Sequence, residues 1–241
     1  MNYEAIFRER GAAYHEAMRR CPDARRDEFE TVVRIAAPET YANVVDAPAG
    51  GGYLARYLPA TCRWHGHEPC AAFRDDGTVA DSSLLPLPWR DGFADVAISV
   101  AGVHHFADKR GFFAEVRRVL APSGAFVLAD VHAQSNVARF LDGFVGRHNS
   151  TGHEGVYLND ATVAALDAHG FDVRRAQREQ YCWWFADRRQ MGAFCRSLFD
   201  VTDVDEDAVA EAIERDLGTT TRGREVGMNW ELLVVACARR D

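Results

Sequence analysis

The strongest signal in the sequence is Val44-Val45-Asp46-Ala47-Pro48-Ala49-Gly50-Gly51-Gly52, because an apolar strand runs directly into a glycine-rich turn. The apolar residues before Asp46 predict a buried strand. Glycine has no Cβ, so the backbone can approach a ligand closely, and the first turn of a following helix offers free N–H groups to an anion. We therefore expect a ligand-binding unit of strand, turn and helix, with the helix over residues 50–58.

The segments after this turn alternate between short apolar runs and helical patterns. An amphipathic helix is predicted over 109–120, followed by a turn at Pro122-Ser123-Gly124. The further strands predicted in this region are 61–68, 78–81, 94–100 and 125–130. Such alternation predicts an α/β fold in which helices cover both faces of a mostly parallel sheet.

The flanking segments are mainly helical. Residues 1–37 predict an N-terminal helical cap, in which Pro22 opens the second helix and Tyr14 or His15 could touch a bound ligand. After the core over 41–131, a substrate-side part over 132–241 completes a single domain. In this part we predict helices over 136–148 and from Asn159 to a stop at Gly170, and strands over 171–178 and 230–238. Between the two strands we predict a helical insertion of about 182–229, with helices over 187–199 and 205–217.

The composition is that of a globular protein, with 47% hydrophobic and 27% charged residues among 241. A formal net charge of −8 argues against a general nucleic-acid binder, which usually carries a basic stripe. No apolar run approaches the roughly 20 residues that a membrane span needs, and the first 20 residues are charged throughout. We therefore expect no membrane association and a cytoplasmic location. Six scattered cysteines without a CxxC pair predict free thiols.

Polar residues follow several of the predicted strands. Glu68 lies about twenty positions after the glycine turn, where a carboxylate can accept hydrogen bonds from both hydroxyls of a ribose. Asp81 ends the next strand and could accept a hydrogen bond from an adenine amino group. Ser99 and Val100 end the strand that precedes the adjacent His104 and His105.

These segments, in this order, resemble the class I S-adenosylmethionine-dependent methyltransferases, in particular the small-molecule group similar to methyltransferase types 11 and 25. The resemblance covers about residues 41–131 and implies a Rossmann-like seven-stranded sheet, parallel except for one strand near the C-terminus. It implies S-adenosylmethionine as cofactor and S-adenosylhomocysteine as product. The implied cofactor-binding residues are Asp46, Ala47, Gly50 and Gly52 at the methionine end, Glu68 at the ribose, Asp81 and Ser82 at the adenine, and Ser99 and Val100 at the sulfonium.

One departure from the family pattern keeps other functions open. The position of the first loop glycine is Pro48, which has a fixed φ and no N–H. A cofactor-binding protein that does not methylate, or that uses the sulfonium for another reaction, is therefore an alternative. A second alternative is an adaptor that binds a partner protein through an apolar face of the helices over 187–217. A nicotinamide enzyme is disfavoured because the GxGxxG pattern is absent.

For a methyltransferase, the reaction is an in-line displacement in which the acceptor nucleophile must be held close to the methyl carbon. An oxygen or nitrogen atom of a small molecule is the expected acceptor. The family places its methyl-transfer face at His104 and His105, so either imidazole could act as a general base, although packing or loop capping would also explain them.

Candidate substrate contacts lie outside the core. A glycine-broken loop over 147–157 supplies His148, Asn149, His153 and Tyr157, and the following strand region supplies Tyr181 and Trp184. The spacings of the histidines match no common metal site, so the sequence predicts none. The sequence predicts a small molecule as the binding partner and is compatible with either a monomer or a homodimer.

Overall fold

A computed structural model describes residues 3–74 and 82–240, so the predicted strand 78–81 and Asp81 lie outside the described residues. Its seven strands are β1 Asn43–Asp46, β2 Arg63–Gly66, β3 Ala94–Val100, β4 Leu120–Asp130, β5 Phe171–Phe185, β6 Thr219–Arg222 and β7 Glu225–Arg239.

These strands form one sheet in the order β2-β1-β3-β4-β7-β5, and β6 pairs with β7. The neighbours β2, β1, β3 and β4 are parallel, whereas β7 is antiparallel to β4, β5 and β6. The prediction of an α/β fold with a mostly parallel sheet is confirmed. The strand β6 was not predicted, because its polar sequence, Thr219–Arg222, is exposed throughout and forms a hairpin with β7.

Helices surround the sheet: α1 Tyr3–Arg20, α2 Arg26–Ala36, α3 Arg110–Val119, α4 Asn136–Phe140, α5 Gly146–His148, α6 Asp160–Ala168, α7 Arg188–Leu198 and α8 Glu206–Asp216. A π-helical turn over Leu141–Val145 joins α4 to α5. The starts of α6, α7 and α8 follow from capping chemistry. Asn159, Asp187 and Asp205 each accept a hydrogen bond from a backbone amide of the helix that follows.

The hydrophobic core lies on the two faces of the sheet. On one face, α3 buries Phe112 and Phe113 and α6 buries Leu166. On the other face, α2, α7 and α8 bury their apolar sides, with Phe29 and Ile213 among the residues involved. The first helix, α1, crosses this second layer, where Ser197 Oγ of α7 donates a hydrogen bond to the carbonyl of Ala13 at 3.0 Å.

Several predicted boundaries are wrong for local reasons. The predicted helix 50–58 is only a 3₁₀ turn over Tyr53–Tyr57, because Gly50 and Gly52 adopt positive φ angles of 54° and 72° that no right-handed helix contains. The predicted turn at 122–124 lies within β4, where Ser123 has a φ of 59° and the register with β3 shifts. Furthermore, α2 begins at Arg26 rather than at Pro22, and the insertion between β5 and β7 is narrower than predicted, at residues 186–224.

The helices α7 and α8 lack the exposed apolar face that the adaptor hypothesis requires. Phe194, Leu198 and Phe199 are all buried against the sheet. The large hydrophobic residues that are exposed in the described ranges are Tyr41, Trp64 and Val156, which lie elsewhere. Among the described helices, none combines the length and apolar character needed to cross a membrane.

Candidate cofactor and methyl-transfer site

The site lies where the parallel strands end. Asp46, Gly66, Val100 and Asp130 are the last residues of β1, β2, β3 and β4. Because these strands are parallel neighbours, their carboxyl ends meet at one edge of the sheet, which is where ligands bind in open α/β sheets.

The glycine loop after β1 is packed tightly against its neighbours. A Cβ added at Gly51 would lie 2.6 Å from Nδ1 of His15, and one at Gly102 would lie 2.5 Å from Cγ of Pro48. The Ala47–Pro48 peptide is cis. Pro48 therefore fills the space beside Gly102, and the loop follows its own path while still presenting its backbone to the cleft.

Glu68 joins the glycine loop to the segment after β2. Its Oε2 accepts hydrogen bonds from the Gly50 amide at 2.8 Å and the Tyr3 hydroxyl at 2.9 Å, and its Oε1 accepts one from the Cys70 amide at 2.9 Å. The residue is buried, and this burial raises the pKa of its carboxyl although the three donors oppose the shift. Glu68 thus ties the glycine loop and the N-terminal helix to the segment after β2, and its binding of a ribose stays a prediction.

Asp46 is the second carboxylate of the loop region. Its Oδ2 accepts a hydrogen bond from Trp64 Nε1 at 3.2 Å, and the residue is 3% exposed. Burial raises the pKa of Asp46 to about 7, with a smaller contribution from the charge of Glu68. A cation placed beside Asp46 would stabilise its ionised form.

The N-terminal helix covers this cleft. Tyr3, Phe7 and Tyr14 of α1 line it opposite Pro48 and Tyr53. The space left between them is about 40 Å³, which is room for a few water molecules at most. A nucleoside-sized ligand needs more room than this, so residues that line the cleft, Tyr3 among them, must move for it to bind.

The other predicted cofactor residues lie around the same edge. Ala47 is buried in the loop, and Val100 lines the cleft. Ser99 is fully buried, and its Oγ has no hydrogen-bond partner within the described ranges. Ser82 is exposed, and both its amide and its hydroxyl bond to the carbonyl of Pro69. His15, by contrast, faces Tyr53, with its Nδ1 2.7 Å from the hydroxyl.

The histidine pair follows β3 in a 3₁₀ turn over Val103–His105 and is buried. Nδ1 of His104 lies 2.6 Å from Oδ1 of Asp130, and the His104 amide donates to Oδ2 of the same carboxylate at 3.0 Å. Burial raises the pKa of Asp130, but the charge and hydrogen bonds of His104 outweigh it and leave this pKa lowered. Asp130 is therefore ionised and fixes the orientation of His104.

A third histidine comes to this pair from the loop after α5. The ring centroids of His104 and His105 are 4.0 Å apart, and each is 5.6 Å from that of His153. His153 Nδ1 lies 3.2 Å from Oδ1 of Asp142, which also accepts a 2.5 Å hydrogen bond from the hydroxyl of Tyr157. His153 and Tyr157 are thus the predicted substrate contacts that the structure brings to the histidine pair.

The remaining predicted substrate contacts have other surroundings. His148 bonds to Asp203 at 2.9 Å, and Asn149 Nδ2 donates to the carbonyl of Phe199 at 2.5 Å, so both tie the loop to the connection between α7 and α8. Trp184 donates to Asp27 of α2 at 2.7 Å. Tyr181 is buried, and its hydroxyl has no partner in the described part of the chain. The structure does not bring these four residues to the histidine pair.

Sequence reasoning missed three residues that organise this region. Asp130 ends an apolar strand as Asp46 does, so the same strand-end rule could have found it. This rule could not find Asp142 or Tyr3, because neither follows a strand. Asp142 lies in the π-helical turn after α4 and Tyr3 lies in α1, and each reaches its partner only when these segments pack onto the sheet.

A family model described as "Methyltransferase domain" matches residues 45–128, which run from β1 into β4 and include Glu68, His104 and His105. No curated protein matches the sequence.

Solved structures share the fold at low sequence identity. A Haloferax volcanii chain solved with the Trm112 methyltransferase activator has a TM-score of 0.59 and 20% identity, covering 96% of this chain and 98% of that one. A SAM-dependent methyltransferase from Thermotoga maritima has a TM-score of 0.57 and 14% identity over the whole of both chains. A geranyl diphosphate methyltransferase in complex with SAM has a TM-score of 0.54 and 14% identity, covering 88% of this chain and 84% of that one.

Proposed function

Since the chain carries a methyltransferase domain on the class I methyltransferase fold, we propose that it transfers a methyl group from S-adenosylmethionine to an oxygen or nitrogen atom of a small molecule. S-adenosylhomocysteine is then the second product. The observation that carries the proposal is the carboxylate of Glu68, which lies at the end of β2 and accepts a hydrogen bond from the amide of Gly50 in the glycine loop.

The chemistry of the cleft fits this cofactor. Glu68 offers two oxygens to a ribose diol once Tyr3 has withdrawn, and Asp46 offers a buried carboxylate to the ammonium group of the methionine part. The fully buried hydroxyl of Ser99, which has no partner in residues 3–74 and 82–240, can serve a polar ligand at the end of β3. The departure at Pro48 leaves these groups in place, which supports cofactor binding.

S-Adenosylmethionine supplies a methyl group that is already activated by the positive charge on sulfur. The chain must therefore position the acceptor, exclude water and manage the acceptor's proton. We assign the last task to His104 and His105, whose rings are buried beside the carboxyl ends of β3 and β4. Burial keeps the pKa of His105 well below its usual value, so its ring is neutral near pH 7. A neutral imidazole can accept a proton directly or bind a metal that acidifies the acceptor.

Calorimetry and a turnover assay test the proposal. The purified chain is expected to bind one S-adenosylhomocysteine per chain, and a screen of small alcohols, phenols and amines with labelled S-adenosylmethionine is expected to yield a methylated product. Absence of binding by either form of the cofactor would refute the proposal. Cofactor binding without any methylated product would instead support the non-methylating alternative.

The affinity for S-adenosylhomocysteine should depend on pH through Asp46. Its pKa of about 7 means that the carboxyl is largely neutral at pH 6 and ionised at pH 8, and only the ionised form attracts the ligand's ammonium group. The dissociation constant is therefore expected to rise about tenfold from pH 8 to pH 6. Calorimetry at both pH values measures this rise. The Asp46→Asn variant should bind weakly with little pH dependence, and a full tenfold change in that variant would assign the effect to another group.

A further inference from the structure

Three buried imidazoles converge at the carboxyl ends of β3 and β4. His104 and His105 come from the turn after β3, and His153 comes from a loop about fifty residues later in the chain. One potential ligand nitrogen from each ring lies within 4.8 Å of the other two. Each residue is less than 10% exposed, so the cluster is shielded from bulk water.

Two of the three rings are oriented by carboxylates. Asp130 lies 2.6 Å from Nδ1 of His104, and Asp142 lies 3.2 Å from Nδ1 of His153. An ionised carboxylate can only accept a hydrogen bond, so each of these two rings donates from Nδ1, and Nε2 is the nitrogen left to face a ligand. A carboxylate behind a histidine in this way is the usual second shell of a metal-binding imidazole, because it fixes the tautomer and raises the basicity of the ligand nitrogen.

In the described residues, no carboxylate bonds to the ring of His105, the third of the cluster. No hydrogen bond joins a ring nitrogen of His105 to the rest of the described chain, although the side chain is buried. A histidine that served only to pack the core would be expected to satisfy at least one ring nitrogen. The ring nitrogens of His105 are therefore available to a ligand that would complete the cluster.

Charged groups of both signs surround the cluster. Arg10 of α1 and Lys109 at the start of α3 act on His105 as positive groups. Lys109 is held by the carbonyls of Phe106 and Val156. The carboxylates of Asp130 and Asp142 contact His104 and His153, so negative charge lies directly behind two of the three proposed ligands.

We propose that His104, His105 and His153 bind one divalent transition-metal ion, with zinc as the first candidate. Three histidines that leave a fourth position open are typical of catalytic zinc, and imidazole also suits nickel, copper and iron. With zinc–nitrogen distances of about 2.0–2.1 Å, the three nitrogens would be about 3.4 Å apart, so binding draws the rings slightly inward. A role for this ion in activating the methyl acceptor rests on the proposed function, whereas metal binding itself does not.

Cobalt binding to the full chain tests the proposal. Chelator-treated protein titrated with Co²⁺ should show visible absorption typical of a low-symmetry nitrogen site, saturate at one ion per chain, and lose this absorption when Zn²⁺ is added. His153→Ala should weaken Co²⁺ binding by more than 100-fold, and Asp142→Asn by 10- to 100-fold through its second-shell position. The matched control is His65→Ala, because His65 lies on β2, its Nε2 is 3.4 Å from Oδ1 of Asn43, and it belongs to no part of the histidine cluster.

Two results would overturn the metal proposal. One is equal Co²⁺ affinity in wild type, Asp142→Asn and His153→Ala, with thermal melting used to verify that the variants are folded. The other is strong thiolate charge-transfer absorption, which would place the ion on cysteines. Calorimetry with S-adenosylhomocysteine on the same metal-free protein keeps the two proposals separate, since cofactor binding without metal binding refutes only the metal site.

Discussion

Replacing Glu68 with glutamine is expected to weaken S-adenosylhomocysteine binding by about 10- to 100-fold. Hydrogen bonds to a charged acceptor contribute about 1.5–3 kcal/mol, and each 1.4 kcal/mol is a factor of ten in affinity. Glutamine has one acceptor oxygen in place of two, and its amide group would face the donors that now meet Oε2, the Gly50 amide and the Tyr3 hydroxyl. Isothermal titration calorimetry measures the change.

The control for the Glu68 variant is Glu39→Gln, which removes the same charge from an exposed position. It should bind the ligand as wild type does. Tyr3→Phe provides a second comparison, because it keeps the carboxylate and removes a donor that competes for Oε2. We expect this variant to bind at least as tightly as wild type. If Glu68→Gln binds within threefold of wild type while remaining folded, Glu68 does not bind the ribose.

Replacing Glu28 with alanine is expected to lower the free energy of unfolding by about 3–5 kcal/mol. Glu28 of α2 is fully buried, accepts a hydrogen bond from Trp183 Nε1 at 2.7 Å and forms an ion pair with Arg25. The Arg25 guanidinium also lies 4.9 Å from the Trp183 ring. Burial lowers the pKa of the Arg25 guanidinium, but the charge of the adjacent Glu28 outweighs it, so the pKa is raised overall. The alanine variant therefore leaves a buried cation without its counterion.

Chemical denaturation measures the loss of stability, and the midpoint of thermal unfolding should fall by on the order of 10 °C. Glu30→Ala is the matched control, because Glu30 is exposed on the same helix and should change stability by no more than about 0.5 kcal/mol. The double variant Arg25→Met with Glu28→Leu should regain most of the loss, since no charge is then buried. Equal stability of Glu28→Ala and Glu30→Ala would show that the buried pair contributes nothing.

Glu68→Gln and Glu28→Ala distinguish a residue that binds the ligand from one that stabilises the surrounding helices. Arg25 also contacts the hydroxyl of Tyr14 and lines the same cleft as the glycine loop. The ion pair in α2 therefore supports the helical layer that covers the candidate cofactor site. We expect Glu28→Ala to act mainly on stability, and in the chain that remains folded to weaken ligand binding less than Glu68→Gln does.

The parallel part of the sheet and the polar residues near the ends of its strands could be predicted from the sequence. Buried strands are visible as short apolar runs, and a polar residue directly after such a run must lie at the edge of the sheet. Asp46, Glu68 and the pair His104–His105 were found in this way. The starts of α6, α7 and α8 were equally accessible, because capping by Asn159, Asp187 and Asp205 depends on residues only a few positions away.

Contacts between side chains that are distant in the sequence could not be predicted in this way. Tyr3 reaches Glu68 across 65 residues, and Trp183 reaches Glu28 across 155. His153 joins His104 and His105 through the course of one loop, and the spacing of the histidines in the sequence gives no sign of this meeting. Periodicity and capping act over a few residues, whereas these contacts depend on how helices and loops pack onto the finished sheet. That packing is fixed by the whole core, and no local pattern encodes it.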